Sequence, residues 1–391
     1  MPENFLIAQF SEKFLSFLIF LILITGCKSN LQVTENLPPI PAEQTLELFE
    51  IADGFTIELV ASEPLIADPV AMEIDEAGRM YVVEMHGYPL DKSGSGRIIL
   101  LSDANGDGKM DTHTVFAEGL RLPTGIMRWK SGVIVTDAPD VIYFEDQDGD
   151  GISDFRKIIL SGFALSNPQH NLNTPLFGLD NWIYLAHEQA VTSKLFPEEF
   201  GDKGSEIFFP DQKEGQRLPI NANGRNVRFK PETFELEMLS GDTQFGHTFD
   251  TYGNHFLVSN AEHLMQEVLQ ARYIKRNPDL LVSYASENLP DHGDAAEVFP
   301  ITENPEHQLL TDIGVMTSAC GITSYLGGAF PENYYEMIFV AEPVHNLVHI
   351  DKLIPKGATF SGKRVFEKKE FLASKDSWFR PVNFYIGPDG A

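Results

Sequence analysis

Two stretches of the chain carry the same acidic pattern. The first is Asp103-Ala-Asn105-Gly-Asp107-Gly-Lys-Met-Asp111, and 43 residues on comes Asp146-Gln-Asp148-Gly-Asp150-Gly-Ile-Ser-Asp154. Oxygen side chains at alternate positions, with glycine at the sharp turn, are the ligand pattern of a calcium loop. An EF-hand would place a bidentate Glu at position 12; Thr114 and Lys157 stand there instead, which excludes that type. The nine-residue form points to a hairpin loop. Asp103, Asn105, Asp107 and Asp111 would supply side-chain oxygens and Lys109 a carbonyl; Asp146, Asp148, Asp150 and Asp154, with the carbonyl of Ile152, would do the same. Solvated Asp/Gly turns share this composition. If occupied, such loops are expected to be structural, because all-protein ligation leaves little open coordination.

Histidine is the second source of chemistry. His86, His170, His187, His247, His263, His292, His345 and His349 lie at the ends of apolar runs. Several imidazoles converging from different segments can act as a general base or as metal ligands, and a single one is more often a hydrogen-bonded structural group. No His-x-x-x-His or Glu-x-x-His helix pattern supports zinc. Arg225 (Asn223-Gly-Arg-Asn-Val-Arg228) and Arg380 (Trp378-Phe-Arg-Pro381) could clamp an anionic cofactor or substrate, and His247 joins them as a cofactor-binding candidate. The chain has no Gly-x-Ser-x-Gly elbow, P-loop, Rossmann fingerprint or Cys-x-x-Cys-His haem site.

The elements that must position these residues are short strands. Each acidic loop lies between strand-like runs: Arg97–Ser102 and Thr114–Phe116 around the first, Val141–Phe144 and Lys157–Leu160 around the second. A looser theme also recurs: a turn with Gly or Asn, three to five apolar residues, then a polar one. Copies start at Asp75, Lys130, Gly178, Asp250, Asn333 and Gly387. Six units at this spacing predict an all-β, six-bladed β-propeller over residues 45–391, a sandwich or barrel being the alternative. The last copy, Gly387-Pro-Asp-Gly-Ala391, reaches only its turn, so the last blade is expected to be truncated, the alternative being ring closure by a strand near Phe55–Val60. Residues 260–274 carry a capping Asn, helix formers and apolar residues at helical spacing, and predict one inserted helix.

Of the 391 residues, 43% are hydrophobic, enough for a substantial core, and the formal net charge is −28. An acidic surface repels a phosphate backbone, so nucleic acid is excluded as a partner. Phe14–Ile24 is an apolar core too short for a typical membrane-spanning helix. Thr25-Gly26-Cys27 after it resembles a bacterial lipoprotein box. Residues 1–27 are therefore expected to be a lipoprotein signal peptide with lipidated Cys27, an uncleaved anchor being the alternative, and residues 28–44 a proline-stiffened tether. That places the protein in the cell envelope, anchored to a bacterial membrane by lipid and facing the periplasm or exterior.

Gly54-Phe-Thr-Ile-Glu-Leu-Val-Ala-Ser-Glu-Pro-Leu-Ile-Ala-Asp-Pro-Val-Ala-Met72 and Gly119-Leu-Arg-Leu-Pro-Thr-Gly125 are similar to the membrane-bound dehydrogenase propeller family. So are Asp376-Ser-Trp-Phe-Arg-Pro-Val382 and Gly387-Pro-Asp-Gly-Ala391. In that family the propeller often precedes the c-type cytochrome modules of PVC-type haem-binding proteins. It is distantly similar to the glucose and sorbosone dehydrogenases that use pyrroloquinoline quinone (PQQ) and calcium. The resemblance implies oxidation of a sugar or alcohol with PQQ and calcium as cofactors and a c-type cytochrome acceptor. It also implies His170, ahead of Gly178-Leu-Asp-Asn-Trp-Ile-Tyr184, as the catalytic base. The Arg-Asn pair that holds the quinone in those enzymes is replaced by Asp242-Thr-Gln-Phe-Gly246. A non-catalytic carbohydrate- or protein-binding propeller and a calcium-dependent lactonase-like hydrolase share the fold and remain alternatives.

Overall fold

Short β-branched and aromatic runs separated by Gly, Asn and Asp turns form five antiparallel sheets arranged as a propeller. The computed structural model describes residues 38–277, 279–293, 296–302 and 313–391. The expected signal peptide, Cys27 and tether residues 28–37 lie outside the described residues. Among the described residues no helix is long and apolar enough to cross a membrane.

The first sheet runs from the centre outward as β2 (Pro69–Ile74), β3 (Met80–Glu84), β4 (Gly96–Ser102) and β5 (Thr112–Leu120). The second comprises β6 (Gly125–Trp129), β7 (Gly132–Asp137), β8 (Asp140–Glu145) and β9 (Phe155–Ser161), extended by β12 (Glu206–Phe208) and β13 (Arg217–Ile220). The third holds β10 (Asn173–Phe177), β11 (Ile183–Ala186), β14 (Val227–Lys230) and β15 (Glu235–Met238). The fourth holds β16 (His247–Phe249), β17 (His255–Leu257), β18 (Met265–Glu267) and β19 (Ser286–Asn288). In the fifth, β20 (Cys320–Ser324), β21 (Ile338–Glu342), β22 (Leu347–Lys356) and β24 (Leu372–Ser374) are joined at the outer edge by β1 (Phe49–Ile51), and β23 (Thr359–Arg364) pairs with β22.

Five of the six copies of the turn theme become the hairpin between the two inner strands of a sheet. The expected sixth blade does not form, so five sheets stand where six were predicted. A single segment takes the sixth inner position. Residues 382–386 run between β20 and β2: the Asn383 amide donates to the Val70 carbonyl (2.7 Å), and Tyr385 packs on the core shared by the first two sheets. The turn at Gly387 folds back on itself (Gly387 N to Ala391 O, 2.9 Å). At the crowded contact beside this segment Gly321 has φ +59°, and an added Cβ would lie 2.1 Å from the Val382 carbonyl oxygen. Only glycine fits there.

The predicted helix over 260–274 is also corrected. Met265–Glu267 are strand β18, paired on both sides, and only Ala271–Ile274 is helical. Helix formers yield here to tertiary pairing: Glu267 is buried and bonded to His255 and Ser240, which a helix would not allow.

Side chains between neighbouring sheets make the core. Ile98, Phe116, Leu120, Val133 and Val135 join the first and second sheets; Ile134, Leu160, Leu185, Val227 and Phe229 join the second and third. Each fully buried aliphatic or phenyl side chain contributes about 1.5–3 kcal/mol.

Candidate functional site

In every sheet the inner strand enters at the end where its neighbour finishes. The start of each first strand and the end of each second strand therefore share one mouth of the channel. Three sheets place a buried carboxylate at that point, the acidic residue closing the theme's apolar run: Glu84, Asp137 and Glu342. Each accepts backbone N–H groups from the loop feeding the inner strand. Glu84 takes Ala67 N (2.7 Å), Asp137 takes Arg121 N and Leu122 N (3.0 and 2.9 Å), and Glu342 takes Ser318 N (2.9 Å). Burial raises the pKa of Asp137, and these N–H groups oppose the rise.

His170 lies three residues before β10 and Glu188 two residues after β11, so both sit at this mouth. His170 Nδ1 is hydrogen-bonded to the Glu188 carboxylate, with both side chains mostly buried. Nδ1–H donates to Glu188, which leaves Nε2 as the nitrogen with a lone pair for an incoming hydroxyl. Beside it the Gln169 amide donates to the Tyr88 hydroxyl (2.6 Å). His86, between Asp68 (2.9 Å) and Glu84 (3.0 Å), is a second imidazole at the same rim. Arg380 is exposed there, with one long hydrogen bond to Pro343 O (3.5 Å) and no carboxylate partner among the described residues.

Two expected cofactor residues are engaged elsewhere. Arg225 pairs with Asp242 (2.6 Å) and bonds Ser240 O (3.0 Å). His247 is buried, its Nε2–H donating to Thr174 O (2.8 Å) and its Nδ1 accepting from His255 Nε2 (2.8 Å). Burial and the neighbouring His255 push the His247 pKa down to about 3, so this ring is neutral. His187 is likewise buried and bonds Asn221 (3.0 Å). His345 bonds Glu342 (3.0 Å). His263, His292 and His349 gather between the fourth and fifth sheets, away from the channel.

Below the mouth, the inner strands and residues 383–386 enclose a cavity of about 420 Å³ lined mainly by apolar groups such as Ile126, Met127, Phe249 and Phe384. Its acids, Glu73 and Asp250, face no lysine or arginine in the lining, and burial raises the Glu73 pKa. The chamber suits a neutral, partly apolar group better than a multiply charged anion.

The acidic loops are the β4–β5 and β8–β9 hairpins of adjacent sheets, both at the far end from the mouth. Their internal bonds repeat: Asp103 accepts Gly106 N and Gly108 N (2.6 and 2.8 Å), and Asp146 accepts Gly149 N and Gly151 N (2.7 and 2.8 Å). In the second loop one oxygen each from Asp146, Asp148 and Asp154 lie within 4.8 Å of one another. In the first, the Asn105 amide nitrogen donates to Asp111 (3.0 Å) and its oxygen accepts Asp107 N (2.9 Å). The loops therefore lie well away from His170.

The family described as a domain of unknown function, DUF7133, matches residues 41–391. The chain belongs to that family. No match is found among curated proteins. Similar solved structures include an oxidoreductase (glucose dehydrogenase) of Thermus thermophilus, at 14% identity over 82% of this chain and 88% of that one, TM-score 0.43. The calcium structure of a Trichoderma reesei protein of carbohydrate-active enzyme family AA12 is 14% identical over 91% and 95%, TM-score 0.45. The PQQ-bound aldose sugar dehydrogenase of Streptomyces coelicolor is 11% identical over 80% and 82%, TM-score 0.41. Likeness at these identities and scores carries no functional argument.

Sequence reasoning missed Glu188, although an acid two residues past the Trp182–Ala186 run was there to be read. It also missed the sheet-end carboxylates as a set, for which the Val-Val-Glu84, Val-Thr-Asp137 and Val-Ala-Glu342 endings were the signal.

Proposed function

We propose that this DUF7133 chain is a quinoprotein-type dehydrogenase that oxidises a sugar or alcohol at the channel mouth. The observation that supports it most is the His170–Glu188 pair, an imidazole oriented by a carboxylate with one nitrogen left for substrate. His170 Nε2 takes the hydroxyl proton as the C–O bond becomes a carbonyl, and Glu188 stabilises the imidazolium that results. Tyr88 and Gln169 orient the hydroxyl-bearing carbon beside the base. A PQQ-type quinone, when bound, supplies the acceptor for the hydride leaving that carbon. Such a cofactor carries several carboxylates. Arg380 fits one of them, whereas Arg225 and His247 are committed to Asp242, His255 and Thr174. That engagement is also what favours the second reading, a non-catalytic propeller that binds carbohydrate at the same mouth.

Cys27 lipidation would tether the propeller in the cell envelope, a c-type cytochrome would accept electrons, and calcium in the two Asp loops would stiffen the hairpins. The test is reconstitution of the full-length protein with PQQ and Ca²⁺, with quinone binding measured by fluorescence and dye reduction followed across a sugar and alcohol panel. Stoichiometric binding with reduction supports the reading. Absence of both, with sugar binding retained, replaces it with the binding propeller.

A further inference from the structure

His349 and Asp351 alternate on β22 and so face the same side of the fifth sheet. Opposite them stand His263, between β17 and β18, and His292, just past β19, both from the fourth sheet. The three imidazole rings form a near-equilateral triangle, with centroids 5.1, 5.3 and 5.6 Å apart. One ligand atom from each of the four residues falls within 4.8 Å of the others. His263, His349 and Asp351 are 1% exposed or less, and His292 is 17% exposed at its side chain.

The bonds around this cluster set its tautomers. His349 Nδ1 donates to Glu370 (2.7 Å), itself bound by Arg364 (3.1 Å), and His292 Nδ1 donates to Asp291 (3.1 Å). Both Nε2 atoms point into the cluster, and neither has a hydrogen-bond partner. Asp351 Oδ1 also lacks a hydrogen-bond partner and lies 3.5 Å from His349 Nε2 and 3.9 Å from His292 Nε2. His263 bonds the other oxygen of Asp351 through Nε2 (2.8 Å), and its Nδ1 is also unpartnered. Buried polar atoms left without partners forgo the hydrogen bonds that burial demands. A cation between them removes that cost. Tetrahedral ligands at about 2.0–2.2 Å from a zinc ion stand about 3.3–3.6 Å from one another, and Asp351 Oδ1 is already 3.5 Å from His349 Nε2 and 3.9 Å from His292 Nε2.

We propose that His263, His292, His349 and Asp351 bind a divalent transition-metal ion of the zinc class. Three imidazoles and one carboxylate suit zinc and its first-row neighbours and not calcium. The Glu370–His349 and Asp291–His292 contacts are the outer carboxylates that orient metal-bound imidazoles. Four protein ligands from two sheets make the site structural, clamping the fourth sheet to the fifth beside the Pro290–Gly362 bridge.

The experiment uses the full-length protein, dialysed and then exposed to zinc or cobalt(II) alone. Expected are about one tightly held metal per chain by elemental analysis, the visible ligand-field bands of four-coordinate cobalt, and a Tm that falls on chelation and recovers with zinc. His292→Ala, on a loop and partly exposed, should stay folded by circular dichroism and lose the cobalt bands with at least a 100-fold drop in zinc affinity. Glu370→Gln should weaken binding about 10–100-fold without abolishing it. Asp146→Asn/Asp148→Asn should leave zinc content unchanged. Folded wild-type protein that takes up neither metal, or a folded His292→Ala variant with unaltered cobalt bands, overturns the proposal.

Discussion

Replacing His187 tests how burial governs stability near the channel. The ring is 2% exposed, tilted against Phe163 at 5.3 Å between ring centres, with Nε2 bonded to Asn221 (3.0 Å) and Nδ1 buried without a partner. No carboxylate compensates a charge on it, so burial alone pushes its pKa down to about 4, against about 6.5 in the unfolded chain. The unfolded state therefore binds the proton more tightly. Stability is intact above about pH 6.5 and falls with pH by about 1.4 kcal/mol per unit, reaching a loss of about 3 kcal/mol near pH 4. That is a large share of the roughly 5–15 kcal/mol typical of a domain. His187→Gln keeps a donor for Asn221 and does not titrate. Urea unfolding of both proteins through this pH range should show the wild-type advantage shrinking by about 3 kcal/mol as pH falls. His247 titrates in both proteins and cancels in the difference. A difference that stays constant across the range refutes the reasoning.

Further consequences can be checked on the same protein. Glu342→Ala strips Ser318 N, Thr317 N and His345 of their acceptor and should cost about 3 kcal/mol in urea unfolding; a neutral result would sink the role given to the sheet-end carboxylates. Gly321→Ala sets a methyl against the Val382 carbonyl at positive φ and should cost about 2 kcal/mol or more, with residues 382–386 becoming protease-sensitive. For the acidic loops, calcium at 100 times its Kd should add about 2.7 kcal/mol, and Asp146→Asn/Asp148→Asn should abolish the gain from the second loop. A Tm indifferent to both Ca²⁺ and chelator would remove calcium from the account.

How much of this was legible depended on whether the signal was local. A turn followed by an apolar run is local, and Asp75, Lys130, Gly178, Asp250 and Asn333 each opened the inner hairpin of one sheet. The Gly387 copy, expected to reach only its turn, forms no sixth sheet among the described residues, and residues 382–386 ahead of it lie at the sixth inner position. Helix formers at 260–274 misled because pairing of β18 with β17 and β19, and the bonds to Glu267, are decided by residues outside that segment. The family resemblance implied His170, but its bond to Glu188 depends on two loops meeting at one mouth. The cluster of His263, His292, His349 and Asp351 draws on three separated segments, and only the alternation His349-x-Asp351 hints at it.

The central claim is that His170, held by Glu188, is the base at the channel mouth. The most direct test is the rate of dye reduction by reconstituted full-length protein on its best substrate, wild type against His170→Ala, with quinone binding checked in both. Loss of the base should lower kcat/KM by about 10²–10⁴-fold while quinone binding is retained. Equal rates in the two proteins would contradict it.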